Sequence, residues 1–188
     1  VARLLSLVTV LALVSGHAAH AESAVDLALW AARLPLTFAV TGTKTEPTYQ
    51  EAIDIRRDGD VFTVIGGAPR WAKRATESLR VTPDGTILEP CHGDFYCKVE
   101  NNPTGFLATA LLVSAGRRHC LHGQVAPVRF GARALLCVPA ETLGIVQPIF
   151  DPCFDRATGA VLAQRHRLSG RFDGPSLDAS SVRVEVKN

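Results

Sequence analysis

The chain has 188 residues, 47% of them hydrophobic, with 20 Lys and Arg against 18 Asp and Glu for a formal net charge of +2. That length supports one domain with its own core and not two comfortable ones, and the apolar fraction argues against global disorder. The near-neutral balance supplies no field for gripping a phosphate backbone or an anionic membrane, so no nucleic-acid partner is expected.

The first element in chain order reads as an export signal. Arg3 supplies the positive end, Leu4 to Val14 is an uncharged apolar run, Gly16 breaks it, and Ala19-His20-Ala21 places small residues where a signal peptidase inspects them. The run is short of the roughly 20 apolar residues that span a bilayer. Cleavage near Ala21 would leave residues 22–188 as a single globular domain in a secreted or periplasmic space, where cysteines can pair. No cysteine lies near the cleavage point, so no membrane anchor is expected there. Val at position 1 is what a bacterial GTG start, read literally, would give, and truncation of the chain by one residue would look the same.

Residues 22–34 space Val25, Leu27, Ala28, Trp30, Ala31 and Leu34 close to a 3.6-residue period, and Pro35 stops them. This predicts a short amphipathic helix with Trp30 inward. From Leu36 the pattern alternates, with Leu36, Phe38 and Val40 on one face and Thr37, Ala39 and Thr41 on the other. Strand 52–56 runs into the Asp58-Gly59 turn and strand 61–65, because Gly tolerates the positive φ that a tight hairpin requires. Residues 78–88 repeat the device around Pro83-Asp84-Gly85, and Gly66-Gly67-Ala68-Pro69 is a breaker between the two units. Arg70, Lys73 and Arg74, with Glu77 beside them, read as a solvated face.

Residues 91–103 form a polar loop, and Thr104 is a plausible cap for a helix over 105–115 that is apolar on nearly every side, with Gly116 as its stop. A helix of that kind is buried or in a membrane, and this one is too short to cross. The alternative is a buried strand with a bulge. Strands follow at 124–130, 132–138, 161–168 and 180–186. The expected fold is mainly β (α+β), with about eight strands and two helices. It is a curved antiparallel sheet, or half-barrel, wrapped around a buried helix and stapled by disulfides.

All five cysteines lie between positions 91 and 153, and an odd count leaves at least one thiol over or paired with another molecule. Cys137 and Cys153 fall on successive antiparallel strands, where a cross-strand bridge is easy. Cys91 and Cys97 bracket five residues and can bridge locally, which would leave Cys120 alone. The other pairing, Cys120 with Cys91 or Cys97, would tether the two ends of the buried helix.

The passage Phe130-Gly131-Ala132-Arg133-Ala134-Leu135-Leu136-Cys137, followed by Cys153-Phe154-Asp155-Arg156-Ala157-Thr158-Gly159-Ala160-Val161-Leu162, resembles the C-terminal half of secreted bacterial half-barrel proteins related to the Lol-type lipoprotein carriers. In that group a strand leads to an aromatic-Asp-x-x-Thr-Gly turn, a further strand returns across the sheet, and some members carry a cysteine on each side. The resemblance covers some forty residues. It implies an incomplete barrel whose concave face holds a helix and sometimes a lipid. The lipid anchor of many relatives is not seen here, which puts a membrane-attached role in doubt.

The chemistry-bearing residues cluster at Cys91, His92, Asp94 and Cys97 and again at His119, Cys120 and His122. Thiolate and imidazole suit zinc or copper, but the five-residue gap between Cys91 and Cys97 departs from the usual ligand spacing, and an oxidising space favours disulfides. Disulfides with surface histidines are therefore expected, with no metal and no cofactor. Cys120 beside two imidazoles could act as a nucleophile, yet no orienting third residue is evident and no catalytic residue is assigned. Carboxylates Asp54, Asp58 and Asp60 lie in or beside a hairpin turn, where Asp serves local hydrogen bonding. Phe106, Leu107, Leu111 and Leu112, with Val113, could line a cavity for an acyl chain, or be ordinary core. The expectation is an exported, non-enzymatic protein binding an apolar, lipid-like ligand. The alternatives are a metal binder or enzyme built on the 91–97 and 119–122 cluster, and an interaction module whose odd cysteine forms an intermolecular disulfide.

Overall fold

The computed structural model describes residues 23–46, 48–66, 75–88, 108–145, 149–172 and 176–187. The export segment, the Cys91–Cys97 loop, Phe106 and Leu107 lie outside them. Among the described residues the chain runs β1 (Val25–Asp26), α1 (Leu27–Ala31), β2 (Thr37–Glu46), β3 (Tyr49–Asp58), β4 (Val61–Gly66), β5 (Ala75–Val81) and β6 (Ile87–Leu88). It continues with α2 (Ala108–Arg117), β7 (Gln124–Val125), β8 (Val128–Phe130), β9 (Arg133–Cys137), a 3-10 turn (Ala140–Leu143), β10 (Phe150–Asp155), β11 (Val161–His166) and β12 (Arg183–Val186). Among the described residues the protein is mainly β, with antiparallel sheets, one of them a half-barrel, and two α-helices.

The larger sheet has the order β12-β2-β3-β4-β5-β6. Hairpin β3–β4 closes through Gly59 at φ +58, with Asp58 opposite Val61, as the Asp-Gly pair predicts. Alternation along β2 sends Phe38 and Val40 into the core, whereas Leu36 precedes the strand and is exposed. The pairing register carries that inward face across the sheet. One row runs Phe38, Arg57, Phe62, Leu79, and the next runs Val40, Ile55, Val64, Glu77. Glu77 is therefore a buried member of β5, in phase with Leu79 and Val81, and not part of a solvated face.

The smaller sheet has the order β11-β10-β9-β8 and is buried on both faces. Leu135, Cys137 and Cys153 point one way, into a cluster with Phe38, Val40, Ile53 and Ile55 of the larger sheet. Leu136, Val138 and Phe154 point the other way, into a cluster with α1, α2, Phe62 and Leu79. Two-sided burial accounts for the near-continuous apolar runs of these strands. Residues 176–178 join the two sheets. Leu177 donates its N–H to Leu162 of β11 at 2.8 Å and bridges to Lys44 of β2, and Asp178 donates to the Thr43 carbonyl at 2.6 Å.

The expected N-terminal helix is shortened to Leu27–Ala31 because Val25 and Asp26 pair with Val125 and Gln124, a contact from a distant segment. Asp26 then caps the helix, its side chain accepting from the Leu29 N–H at 2.9 Å. The expected strand 124–130 is split in two, 161–168 ends at His166 where a turn begins, and 180–186 starts only at Arg183, after the Asp178–Ser181 turn.

Candidate ligand-binding face

α2 is apolar on nearly every side, and Ala108 through Ala115 are all buried. Its two hydroxyls are absorbed locally. Thr109 Oγ1 accepts the Val161 N–H at 3.0 Å, and Ser114 Oγ donates to the Gly85 carbonyl at 2.5 Å. Gly85, at φ +88, permits this approach, since a Cβ there would stand 2.8 Å from the Ser114 carbonyl oxygen. At the helix C-terminus Arg117 donates to the carbonyls of Val81 and Thr82 and pairs with Asp60. Leu111 and Leu112 thus lie in the cluster that joins α2 to both sheets, beside Phe62, Leu79, Leu136 and Phe154.

Cys137 and Cys153 form a disulfide between directly opposed residues of β9 and β10. The turn that follows runs from Asp155 to Gly159. Asp155 Oδ2 accepts from the Thr158 N–H at 3.1 Å and the Thr158 hydroxyl at 2.9 Å, while Arg133 pairs with Oδ1 at 3.2 Å. Asp155 is buried, so these contacts satisfy a carboxylate that would otherwise be costly. Asp151, on the same strand, accepts from the Ala140 N–H and from Arg167 Nε and fixes the 3-10 turn.

The second candidate cluster is only half within the described residues. Cys120 is a free, exposed thiol, and His119 and His122 are exposed, with His119 in the left-handed region at φ 56. Among the described residues no three His, Cys, Asp or Glu side chains converge as a metal site. Cys91, His92, Asp94 and Cys97 lie outside them.

Sequence reasoning missed the charged residues of the inward sheet face. Arg57 is buried with its guanidinium 5.3 Å over the Phe62 ring, donating to the Gly59 and Pro35 carbonyls at 3.0 Å each. Burial and then the Arg117 charge pull its pKa down, partly offset by Asp60. At the other end of the face, Glu51 follows the phase of Ile53 and Ile55, and its Oε1 lies 2.8 Å from where a Gly66 Cβ would be. Glu77 is 7% exposed, and its carboxyl is pushed up to about 7 by burial first and by Glu51 second. The alternation of Glu77 with Leu79 and Val81 is the signal that would have placed it inward.

No family model, curated protein or solved structure matches the chain.

Proposed function

We propose that the protein is an exported, non-enzymatic component of a bacterial periplasm or secreted fraction, and that it holds an apolar, lipid-like ligand between its half-barrel sheet and α2. In this reading the curved sheet encloses α2, and Leu111 and Leu112, with Phe106 and Leu107, supply the helix side of the ligand site. The observation that carries it is the burial of α2 from Ala108 to Ala115 in one cluster with strands of both sheets. A helix without a polar face is a poor solvent-facing element and a good wall for an apolar guest. The resemblance of residues 130–162 to half-barrel carriers points the same way. Native mass spectrometry of the protein purified without reductant tests the reading. Added mass matching a lipid supports it, and a bare protein overturns it.

A second reading draws on Cys120. A free, exposed thiol just past the end of α2 is placed to form an intermolecular disulfide with a partner. The same sample run without reductant distinguishes it, since a disulfide-linked species lost in Cys120→Ser would move the function from ligand carriage to partner capture. A bound metal would move it to the 91–97 and 119–122 cluster.

A further inference from the structure

We propose that β12 is the contact strand of a symmetric dimer, in which two copies of this chain join their larger sheets edge to edge, antiparallel, with Val184 on the twofold axis. The inference is independent of the ligand reading and of Cys120.

β12 is an edge strand. It pairs with β2 from Arg183 opposite Thr41 to Val186 opposite Phe38, and it ends the order of the larger sheet, so among the described residues no strand lies on its other side. The Lys187 N–H donates to the Thr37 carbonyl at 3.2 Å. Backbone groups of an antiparallel strand alternate in direction, so those of Glu185 and Arg183 also face β2, and those of Val184 and Val186 face away. They make a row of donors and acceptors that a further strand would satisfy. The opposite edge of the sheet is β6, which at Ile87–Leu88 is too short to offer the same row.

The side chains of β12 say which strand fits. Val182 and Val184 lie on the inward row with Phe38 and Val40. Val186 continues that row but is 45% exposed. Arg183 and Glu185 are exposed on the outer row. Arg183 Nη1 donates to the Ser180 and Val182 carbonyls at 3.0 Å each, and it meets no carboxylate among the described residues. Arg56, two strands away in the row of Glu185, is already held by Asp54. Each of the two exposed charges therefore lacks an opposite charge beside it on the sheet.

A second copy of β12 supplies both. In a symmetric antiparallel pair the twofold axis passes between two copies of one residue, and the choice of residue sets every other contact. An axis through Arg183 or Glu185 sets like charges against each other. An axis through Val186 matches Glu185 to a lysine but leaves Arg183 unmatched. Through Val184, Arg183 stands opposite Glu185 of the partner subunit, twice by symmetry. In the same register Val186 stands opposite Val182 of the partner subunit, which covers the exposed end of the inward row. The contact uses the same strand of both copies, so it closes at two. A short ladder with two exposed ion pairs makes a weak dimer, visible as a concentration-dependent equilibrium.

Sedimentation velocity on the full chain tests the proposal, with every sample carrying Cys120→Ser so that no disulfide through that thiol contributes. The parent should pass from monomer to dimer as concentration rises. Arg183→Glu and Glu185→Arg should each weaken the dimer about tenfold or more, since each sets two like-charge pairs across the axis. The two changes together restore opposite charges and should return affinity to within about threefold of the parent. Both sites are exposed, so the variants keep the fold, which circular dichroism checks. Mild oxidation reads the register. Val184→Cys should crosslink to its own copy, whereas two copies of Glu185→Cys stand farther apart than a disulfide reaches. A monomer at every concentration overturns the proposal, as does a dimer indifferent to the single charge changes or a double variant no tighter than the singles. Crosslinking through Glu185→Cys in preference to Val184→Cys also overturns it, and so does open-ended assembly, which a twofold contact does not make.

Discussion

The Trp30 indole N–H donates to the Arg156 carbonyl at 2.8 Å, across a separation of 126 residues, and the Trp30 ring packs on Phe154 at 6.3 Å. A single side chain therefore pins α1 onto the β10–β11 turn. Trp30→Phe keeps most of the packing and removes the donor. It should cost about 1 kcal/mol, read by urea denaturation, because a part-buried hydrogen bond is lost.

The Cys137–Cys153 bridge closes a loop of 16 residues' separation. In the chain-entropy model that is worth about 3 kcal/mol. Cys137→Ala with Cys153→Ala should lower the denaturation midpoint accordingly. Reductant should lower the parent by at least as much.

Replacing Leu112 by Ala empties a fully buried position of α2. The expected loss is about 2–5 kcal/mol, depending on how far the cluster relaxes. If an apolar guest occupies the same region, part of that loss should be recovered on adding octanol, as a rise in melting temperature larger than the parent shows.

Glu77 titrates in the native protein near 7 instead of its usual 4.5. Between those values the native state holds a proton that the unfolded chain has released, so stability falls as pH rises through the window. The contribution is intact below 4.5 and gone above 7. Glu77→Gln removes the dependence. It should be more stable than the parent at pH 8 by on the order of 1 kcal/mol and indistinguishable from it near pH 4. Parallel melts at the two pH values check this, and a uniform effect at both would contradict the assignment.

Gly159 adopts φ +74 directly after Thr158, and a Cβ there would come 2.5 Å from Leu34 Cδ1. Gly159→Ala should therefore destabilise by about 1–3 kcal/mol through strain and displaced packing. Adding Leu34→Ala should not cost as much on top of it as it does alone, which a double-mutant cycle would measure.

Local signals in the sequence were sound where neighbours in the chain are neighbours in space. The alternation of Phe38 and Val40, the Asp58-Gly59 turn and the opposed pair Cys137 and Cys153 follow from local patterns, as does a buried helix, although it passes the expected stop at Gly116 and ends at Arg117. What could not be read depends on distant partners. Nothing local says that Val25 and Asp26 leave the helix to pair with residues 124–125, or that β9 and β10 are covered on both faces. Glu77 was misplaced for a different reason. The adjacent Arg70, Lys73 and Arg74 made one polar run of it, and the run masked the strand phase that Glu77 shares with Leu79 and Val81. Of the residues expected to line a ligand cavity, Leu111 and Leu112 lie in the core cluster, while Phe106 and Leu107, like Cys91 and Cys97, lie outside the described residues.

The splint formed by residues 176–178 has a kinetic meaning. The Thr43 N–H also bonds to the Ser181 hydroxyl at 2.8 Å, a contact spanning 138 residues. β12 then lies along the outer edge of β2, from Arg183 opposite Thr41 to Val186 opposite Phe38. The seam between the sheets can close only once this late segment is available, whatever the earlier hairpins have done. Closure of so long a loop is slow compared with forming local turns. Until it happens, an edge of β2 remains open to pairing with other chains. A nascent copy would therefore pass through a sticky interval, ended only when this distant clasp closes.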